Sequence, residues 1–455
     1  MKVSHFFSII TILLLVSISC SKDDSTTPEP NNPIGYVQYG TPFANMPATD
    51  NIVMYEVNIR AFSANGNLQG VTSRLDEIKA LGVNVIWLMP IHPVGILNGI
   101  NSPYSVKDYK GVGSEYGTLE DVRTLTTEAH NRGMAVILDW VANHTSWDNP
   151  WIQNTDWYTK NNAGNIVHPP GTNWTDVADL NFDNSDMRLA MIDAMQYWVL
   201  EANIDGFRCD YADGVPFSFW NQAINKLKLT PSRNLLFLAE GNRSDHFFAG
   251  FNLNFGWNYY SKLKNVWNGE SAAGLMAMHT SDYNNVTNGK HILRFTTNHD
   301  ESAWDATPMT IFNGKKGALA ASVVSTFMGG VPLIYSGQEV GRQNTLPFFS
   351  NSGIDWNANP DMLLDYKTMM AVYTNSNAAR KGVLTDFSSN DLICFRKTVT
   401  NETLLVLVNT RNTTVTYTLP SAFQNTNWTA TLTNNTMNLS NTVTLEPYKY
   451  LILKN

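Results

Sequence analysis

Cysteine is nearly absent from this chain of 455 residues: only Cys20, Cys209 and Cys394 occur, far apart, and no disulfide framework follows from them. Clustered positive charge is also missing. The 31 Lys and Arg against 39 Asp and Glu leave a formal net charge of -8, with no basic patch to serve as a phosphate footprint, so nucleic acid is set aside as a partner. No Gly-rich phosphate loop follows the first strand-like segment, which removes the main support for an open, doubly wound sheet. The leading apolar run, residues 6–16, is too short to cross a membrane. Aromatics, by contrast, are plentiful: 13 Trp, 18 Tyr and 21 Phe, many in polar surroundings such as "HTSWDNPWIQNTDWY". Rings placed that way either pack loops or offer flat apolar faces to sugar-like ligands, and composition leaves both open.

The first twenty residues read as a targeting segment: Lys2, the short apolar run, small residues, then Cys20. The ending "SISC" resembles a bacterial lipoprotein cleavage site, with Cys20 as the lipidated first residue. The following "SKDDSTTPEPNNP" is polar and Pro-rich, as a flexible tether over residues 21–45 would be, and its "SKDD" resembles the acidic signal of surface-exposed lipoproteins. These features imply an exported protein, lipid-anchored on Cys20 in the outer membrane and exposed at the surface. Secretion or a periplasmic location is the alternative. Beyond that anchor no membrane contact is expected, and a monomer is expected.

From residue 46 onward strand-like and helix-like segments alternate. Strands are predicted at 51–59, 83–90, 134–141, 204–210, 234–240, 251–257, 292–298 and 331–337, with amphipathic helix patterns such as "LEDVRTLTTEAHNRG" and "DMRLAMIDAMQYWVLEA" between them. Eight such repeats imply a (β/α)₈ TIM barrel over residues 46–382, whose functional face is the C-terminal ends of the strands. Residues 145–186 separate the third strand from its helix by about forty residues, far beyond the usual connection, and predict a small inserted subdomain over the site. From residue 383 to 455 short alternating runs such as "LICFRKTV" and "TLLVLVNT" predict an antiparallel β-sandwich.

Charged and polar residues gather where the apolar runs stop. "DWVANH" ends the third strand with Asp139, Asn143 and His144; "GFRCD" ends the fourth with Arg208 and Asp210; Glu240 ends the fifth, and His299 with Asp300 the seventh. Each acid alone is more easily a cap or turn residue. Three of them on one rim, beside histidine and arginine, suit glycoside cleavage, which needs one ionised carboxylate and one protonated carboxyl at an oxocarbenium-like transition state. Arg208, two positions from Asp210, is expected to lower its pKa and keep it ionised. Glu240, with no adjacent cation in sequence, is expected to hold a proton.

In order and spacing, "DWVANH", "GFRCDYAD", "LAEG" and "TNHD" resemble the four signature regions of the α-amylase family of glycoside hydrolases, supported by "LMPIHPVG", "SPYSVKDY", "VADLNFD" and "GGVPLIYSGQE". With the anchor signal, the chain looks like a bacterial lipoprotein α-amylase. The resemblance implies that Asp210 is the nucleophile, Glu240 the acid/base and Asp300 the third carboxylate. It implies that Tyr104 is a platform under the sugar and that His144, Arg208 and His299 surround it. It also implies Ca²⁺ as cofactor, held by Asn143 and Asp179 with backbone carbonyls. Gly214 stands where relatives have histidine, and Ser105 where several exo-acting relatives have aspartate, which favours an endo-acting cleft. The histidine of "PIHP", His92, is assigned to packing.

The activity that follows is retaining, endo-type hydrolysis of α-1,4-glucosidic bonds in starch and maltooligosaccharides. Alternatives are transglycosylation, a debranching-type α-1,4/1,6 enzyme of the same family, a non-catalytic glycan-binding barrel, and, most remotely, a metal hydrolase built on Asp139, His144 and His299.

Overall fold

The computed structural model describes residues 35–455; the targeting segment, Cys20 and most of the expected tether lie outside the described residues. Eight parallel strands close a barrel in sequence order. They are β1 (Met54–Val57), β2 (Val85–Leu88), β3 (Ala135–Trp140), β4 (Gly206–Cys209), β5 (Leu236–Ala239), β6 (Leu253–Phe255), β7 (His291–Arg294) and β8 (Val331–Tyr335). Seven lie within their predicted segments, and β7 begins one residue before its segment, at His291. Parallel strands are covered on both faces, so apart from His291 every strand residue is buried and the strands read as apolar runs rather than alternating ones.

Helices follow the strands with ordinary end chemistry. The helix Leu119–Asn131 opens on a capping box: the Thr118 hydroxyl accepts from the Asp121 N–H, and the Asp121 carboxylate accepts from the Thr118 N–H at 2.8 Å. At the start of β4, Gly206 has φ 150°, and a Cβ there would lie 1.9 Å from the Leu236 carbonyl oxygen. Glycine at that point lets β4 close on β5.

Residues 36–45, which composition assigns to the tether, lie on the barrel instead. The Tyr39 N–H donates to the Leu200 carbonyl at 2.8 Å, Arg123 sits over the Tyr39 ring, and Phe43 stacks on His130. Three aromatic rings in this stretch supply apolar area that a Pro- and Ser-rich tether lacks.

The excursion after β3 forms an antiparallel pair, His144–Ser146 with Val177–Asp179, and two short 3₁₀ turns around Trp151, Trp157 and Tyr158. The C-terminal region is a six-stranded antiparallel sheet of β9 (Val383–Asp386), β10 (Leu392–Val399), β11 (Glu402–Asn409), β12 (Thr426–Ala430), β13 (Asn435–Leu439) and β14 (Tyr450–Lys454), in the order β9-β10-β11-β14-β12-β13. Strand alternation divides its residues. Ile393, Phe395, Leu404, Val406 and Ile452 join the barrel's core, whereas Leu392, Cys394, Leu405, Leu407 and Leu453 form a second core under the ribbon Val415–Thr418 with Thr442–Leu445. Cys209 and Cys394, the cysteines among the described residues, are free and buried.

Candidate active site

Arg208 is the centre of the barrel's C-terminal rim. Strand pairing sets Asp139 of β3 directly beside it, and the Arg208 Nη1 donates to Asp139 Oδ1 and to Asp210 Oδ1, each at 2.8 Å. Its Nη2 lies 3.0 Å from Glu240 Oε2 at the end of β5. Trp87 of β2 lies against the guanidinium, whose carbon is 4.9 Å from the indole centroid. One fully buried cation thus serves three carboxylates from three strands. Tyr211, the residue after Asp210, adopts the left-handed region at φ 41°, and its N–H donates to Glu240 Oε2 at 2.7 Å. A bulky residue is rarely held there, and here that conformation orients the second carboxylate.

A second network reaches the rim from β1. Glu56, fully buried, contacts His299 Nδ1 at 2.5 Å; His299 Nε2 meets the Tyr104 hydroxyl at 2.8 Å and lies 3.5 Å from Asp300. The Tyr104 hydroxyl donates to Asp139 Oδ2 at 3.1 Å, as does the Trp87 indole N–H. Tyr104 and His299 stack nearly parallel, with centroids 5.3 Å apart, so the platform ring is held from beneath. With Arg208 on one Asp139 oxygen and Trp87 and Tyr104 on the other, that residue ties the two networks together.

Burial dominates the electrostatics. It raises the Asp210 carboxyl to about 6 against the nearby Arg208, with Asp139 and Asp300 adding to the rise. Arg208 does lower this pKa, as expected, but the guanidinium is divided among three acids in a dry site and burial outweighs it, so the net shift is upward. Burial also raises Glu240, to about 7; Arg208 opposes the shift, and Asp210 and Asp300 reinforce it. Glu240 has a cationic neighbour in space, Arg208, yet it is the more readily protonated of the two, as expected. His299 is resisted by burial, but Asp300 and Glu56 outweigh that and raise it to about 9, which makes it a cation at neutral pH. His144 is lowered by burial to about 4 and stays neutral.

Tyr104, His144, Asp210, Glu240, His299 and Asp300 all line one open cleft of about 500 Å³, with Arg208 behind its floor. All seven candidate catalytic and sugar-contacting residues therefore meet at one place. His92 packs among Tyr109, Trp140 and Trp198, as expected. Glu56, Trp87, Trp174 and Phe348 escaped the sequence reading. A single acid inside the apolar run "VMYEV" was the available signal for Glu56; nothing local marked the others.

The candidate metal residues stand beside the cleft. Asp179 lies opposite His144 in the short strand pair; burial raises its carboxyl, Thr159 and His168 oppose this, and among the described residues no cation pairs with it. Asn143 Oδ1 faces Gly214, where a Cβ would lie 2.8 Å from that oxygen and 2.2 Å from the Tyr211 ring. The left-handed Tyr211 thus leaves no room for a side chain at 214. An amide oxygen and a buried carboxylate without a counter-charge fit a hard-oxygen cation.

The family model described as "Alpha amylase, catalytic domain" matches residues 38–169. "Alpha-amylase 2" of Dictyoglomus thermophilum is 27% identical over 380 residues, which cover 78% of this chain and 66% of that protein. "Trehalose synthase/amylase TreS" of Mycolicibacterium smegmatis is 33% identical over 210 residues, covering 38% of this chain and 34% of that one. Among solved structures, an alpha-amylase from Lactobacillus plantarum superposes with a TM-score of 0.81 at 25% identity over 90% of this chain and 99% of that one. The chain spans about two thirds of the length of the Dictyoglomus relative.

Proposed function

The chain belongs to the α-amylase family of glycoside hydrolases, and from that premise we propose that it cleaves α-1,4-glucosidic bonds of starch and maltooligosaccharides with retention, in an endo fashion. The carrying observation is that Asp210 and Glu240 contact neighbouring nitrogens of one guanidinium inside the cleft, which suits the shorter carboxyl separation, about 5–5.5 Å, of retaining enzymes. Asp210, the more acidic of the pair, attacks the anomeric carbon as the bond to the leaving oxygen breaks. Glu240 gives its proton to that oxygen. Water then attacks the same carbon, Glu240 takes the water's proton, and the Asp210–carbon bond breaks. Asp300 and His299 hold hydroxyls of the sugar under attack, Tyr104 lies under its face, and His144 offers a neutral imidazole. Ser105 is fully buried and donates to the Asp176 carbonyl, so no acid at 105 closes the cleft's end, which favours internal cleavage.

The anomer first released from amylose, followed by NMR, tests this: α-product with a rapid fall in chain length is expected, and initial β-product removes the retaining mechanism. Transfer to a sugar acceptor uses the same residues and is the second reading, favoured by the aromatic wall of Trp174 and Tyr211 beside Glu240; products longer than the input at high substrate concentration identify it. A site that only binds glycan would not need an acid poised near neutrality beside a second carboxylate.

We also propose that Asn143 and Asp179 hold Ca²⁺, which when bound would neutralise Asp179 and tie the excursion to the end of β3. EDTA is expected to lower the melting temperature of the wild type but not of Asp179→Asn. Export and lipid anchoring on Cys20 remain part of the proposal. Radiolabelled palmitate on the wild type but not on Cys20→Ser is the expected result.

A further inference from the structure

Asp176 is a carboxylate that the proposed reaction does not use. It is 92% buried by its 8% exposure, lines the cleft, and among the described residues has neither an ion-pair partner nor a side-chain hydrogen bond. Burial raises its pKa, and its own backbone N–H is the group that opposes the shift. Its carboxylate oxygens open on the cleft, where hydroxyls of a ligand can supply the hydrogen bonds that no side chain among the described residues gives.

Its surroundings are fixed rather than slack. The Trp147 indole N–H donates to the Thr175 carbonyl at 3.0 Å, and the Ser105 hydroxyl to the Asp176 carbonyl at 3.3 Å, so the backbone on both sides of the 175–176 peptide is held. Two residues earlier, Trp174 lines the same cleft, edge-on to Tyr211 with centroids 4.9 Å apart and to His144 at 5.7 Å. Tyr211 is the residue whose N–H holds Glu240. The proton donor must face the departing oxygen, so Trp174 and Asp176 flank the leaving-group side. Asp300, His299 and the exposed Trp304, which lies edge-on to Phe348 and Phe349, flank the other.

We propose that Trp174 and Asp176 form a sugar subsite for the leaving-group part of an α-glucan chain, Trp174 offering a ring face to one pyranose and Asp176 accepting hydrogen bonds from its hydroxyls. This rests on the glycosidase activity proposed above. A neutral, hydroxyl-rich ring suits the pair, because an aromatic face takes the sugar's C–H face while a buried carboxylate accepts from two vicinal hydroxyls. The same subsite would seat an incoming sugar acceptor once the first product has left, and so would set the balance between transfer and hydrolysis.

The test compares two substrates on the full chain: maltotetraose, whose leaving sugars occupy the subsite, and α-glucosyl fluoride, whose leaving fluoride is too small to reach it. For Asp176→Ala and Trp174→Ala, the ratio of kcat/KM on maltotetraose to that on the fluoride should fall about tenfold, the worth of one hydrogen bond to a charged group or one ring contact. Asp176→Asn should recover part of it, because an amide oxygen still accepts. Transfer from the fluoride to added maltose should fall in parallel. An unchanged ratio, or an equal loss on both substrates in variants that melt like the wild type, overturns the subsite. A wild type that cleaves neither substrate overturns the underlying activity, and the subsite with it.

Discussion

Arg208 and Arg294 are built from similar parts and do different things. Both are buried, and both lie against aromatic rings: Arg208 over Trp87 at 4.9 Å, Arg294 over Tyr259 at 4.0 Å. Arg294, at the end of β7, has one acid, Asp282, at 2.5 Å; its Nε donates to the Gly329 carbonyl and its Nη2 faces His279, which burial and the nearby Arg294 hold down at about 3 and therefore neutral. One cation meets one anion there. Around Arg208 one cation meets Asp139, Asp210 and Glu240, so acids outnumber bases and the surplus appears as carboxyls that titrate near neutrality. Balance produces a strut between barrel and helices. Imbalance produces a site that can release and take up a proton.

The sharpest way to break that comparison is to disable one cluster and watch the other property. Asp210→Asn should lower kcat by about 10⁴-fold or more while melting near the wild type, because the attacking oxygen is lost. Arg294→Met should do the reverse, destabilising the fold by about 3 kcal/mol through an unpaired, largely covered Asp282 carboxylate while kcat per folded molecule stays within about twofold. A large kcat loss in Arg294→Met would dissolve the distinction. Next in size, Glu240→Gln should cost about 10²–10⁴-fold on maltooligosaccharides. It should cost far less for bond cleavage in α-glucosyl fluoride, whose leaving group needs no proton.

A pH profile sharpens the contrast further. Below about 6 Asp210 takes up a proton and ceases to attack; above about 7 Glu240 loses its proton and ceases to donate. The kcat/KM profile should therefore be a narrow bell with limbs near those values, and the two apparent constants belong to the pair. Replacing Asp139 by Asn should narrow the acid surplus and move the acid limb down. Smallest in effect, Glu56→Gln should leave the fold intact and remove the anion behind His299, lowering that imidazole from about 9. Nitrogen chemical shifts followed against pH should show the ring losing its proton at a lower pH in the variant than in the wild type, with Asp300 still supporting the charge. kcat/KM should fall by up to about tenfold, the equivalent of one pKa unit.

The strands were legible because barrel strands are covered on both faces and so appear as short apolar runs ended by turn residues. Even β6, the faintest of them, falls within its predicted segment. The rim residues were legible for the same reason: polarity resumes where the strand leaves the core, as at Asp210, Glu240 and His299. The electrostatics were not. Arg208 is two residues from Asp210, so that contact could be read locally, whereas its contacts to Asp139 and Glu240 come from strand register and closure. Glu56 and His299 are 243 positions apart and meet only because β1 and β7 face the same interior. Trp174 and Asp176 lie within the long excursion, whose length announced a functional role without saying which side of the cleft it would cover.

Hydrophobic patterning and the order of the rim motifs were therefore enough, in the sequence alone, to indicate the barrel, the appended sheet and the seven polar residues that gather at the rim, but not Glu56, Trp87, Trp174 or Phe348 beside them. Those signals are local: each strand's burial and each motif's spacing depend on a few neighbouring positions. Tertiary structure alone decided how many acids share one guanidinium, which carboxyl is the more easily protonated, which histidine is charged and which aromatic wall stands beside the proton donor. Desolvation and Coulomb energy depend on distances through space, and a closed barrel fixes those distances between residues that the chain keeps far apart.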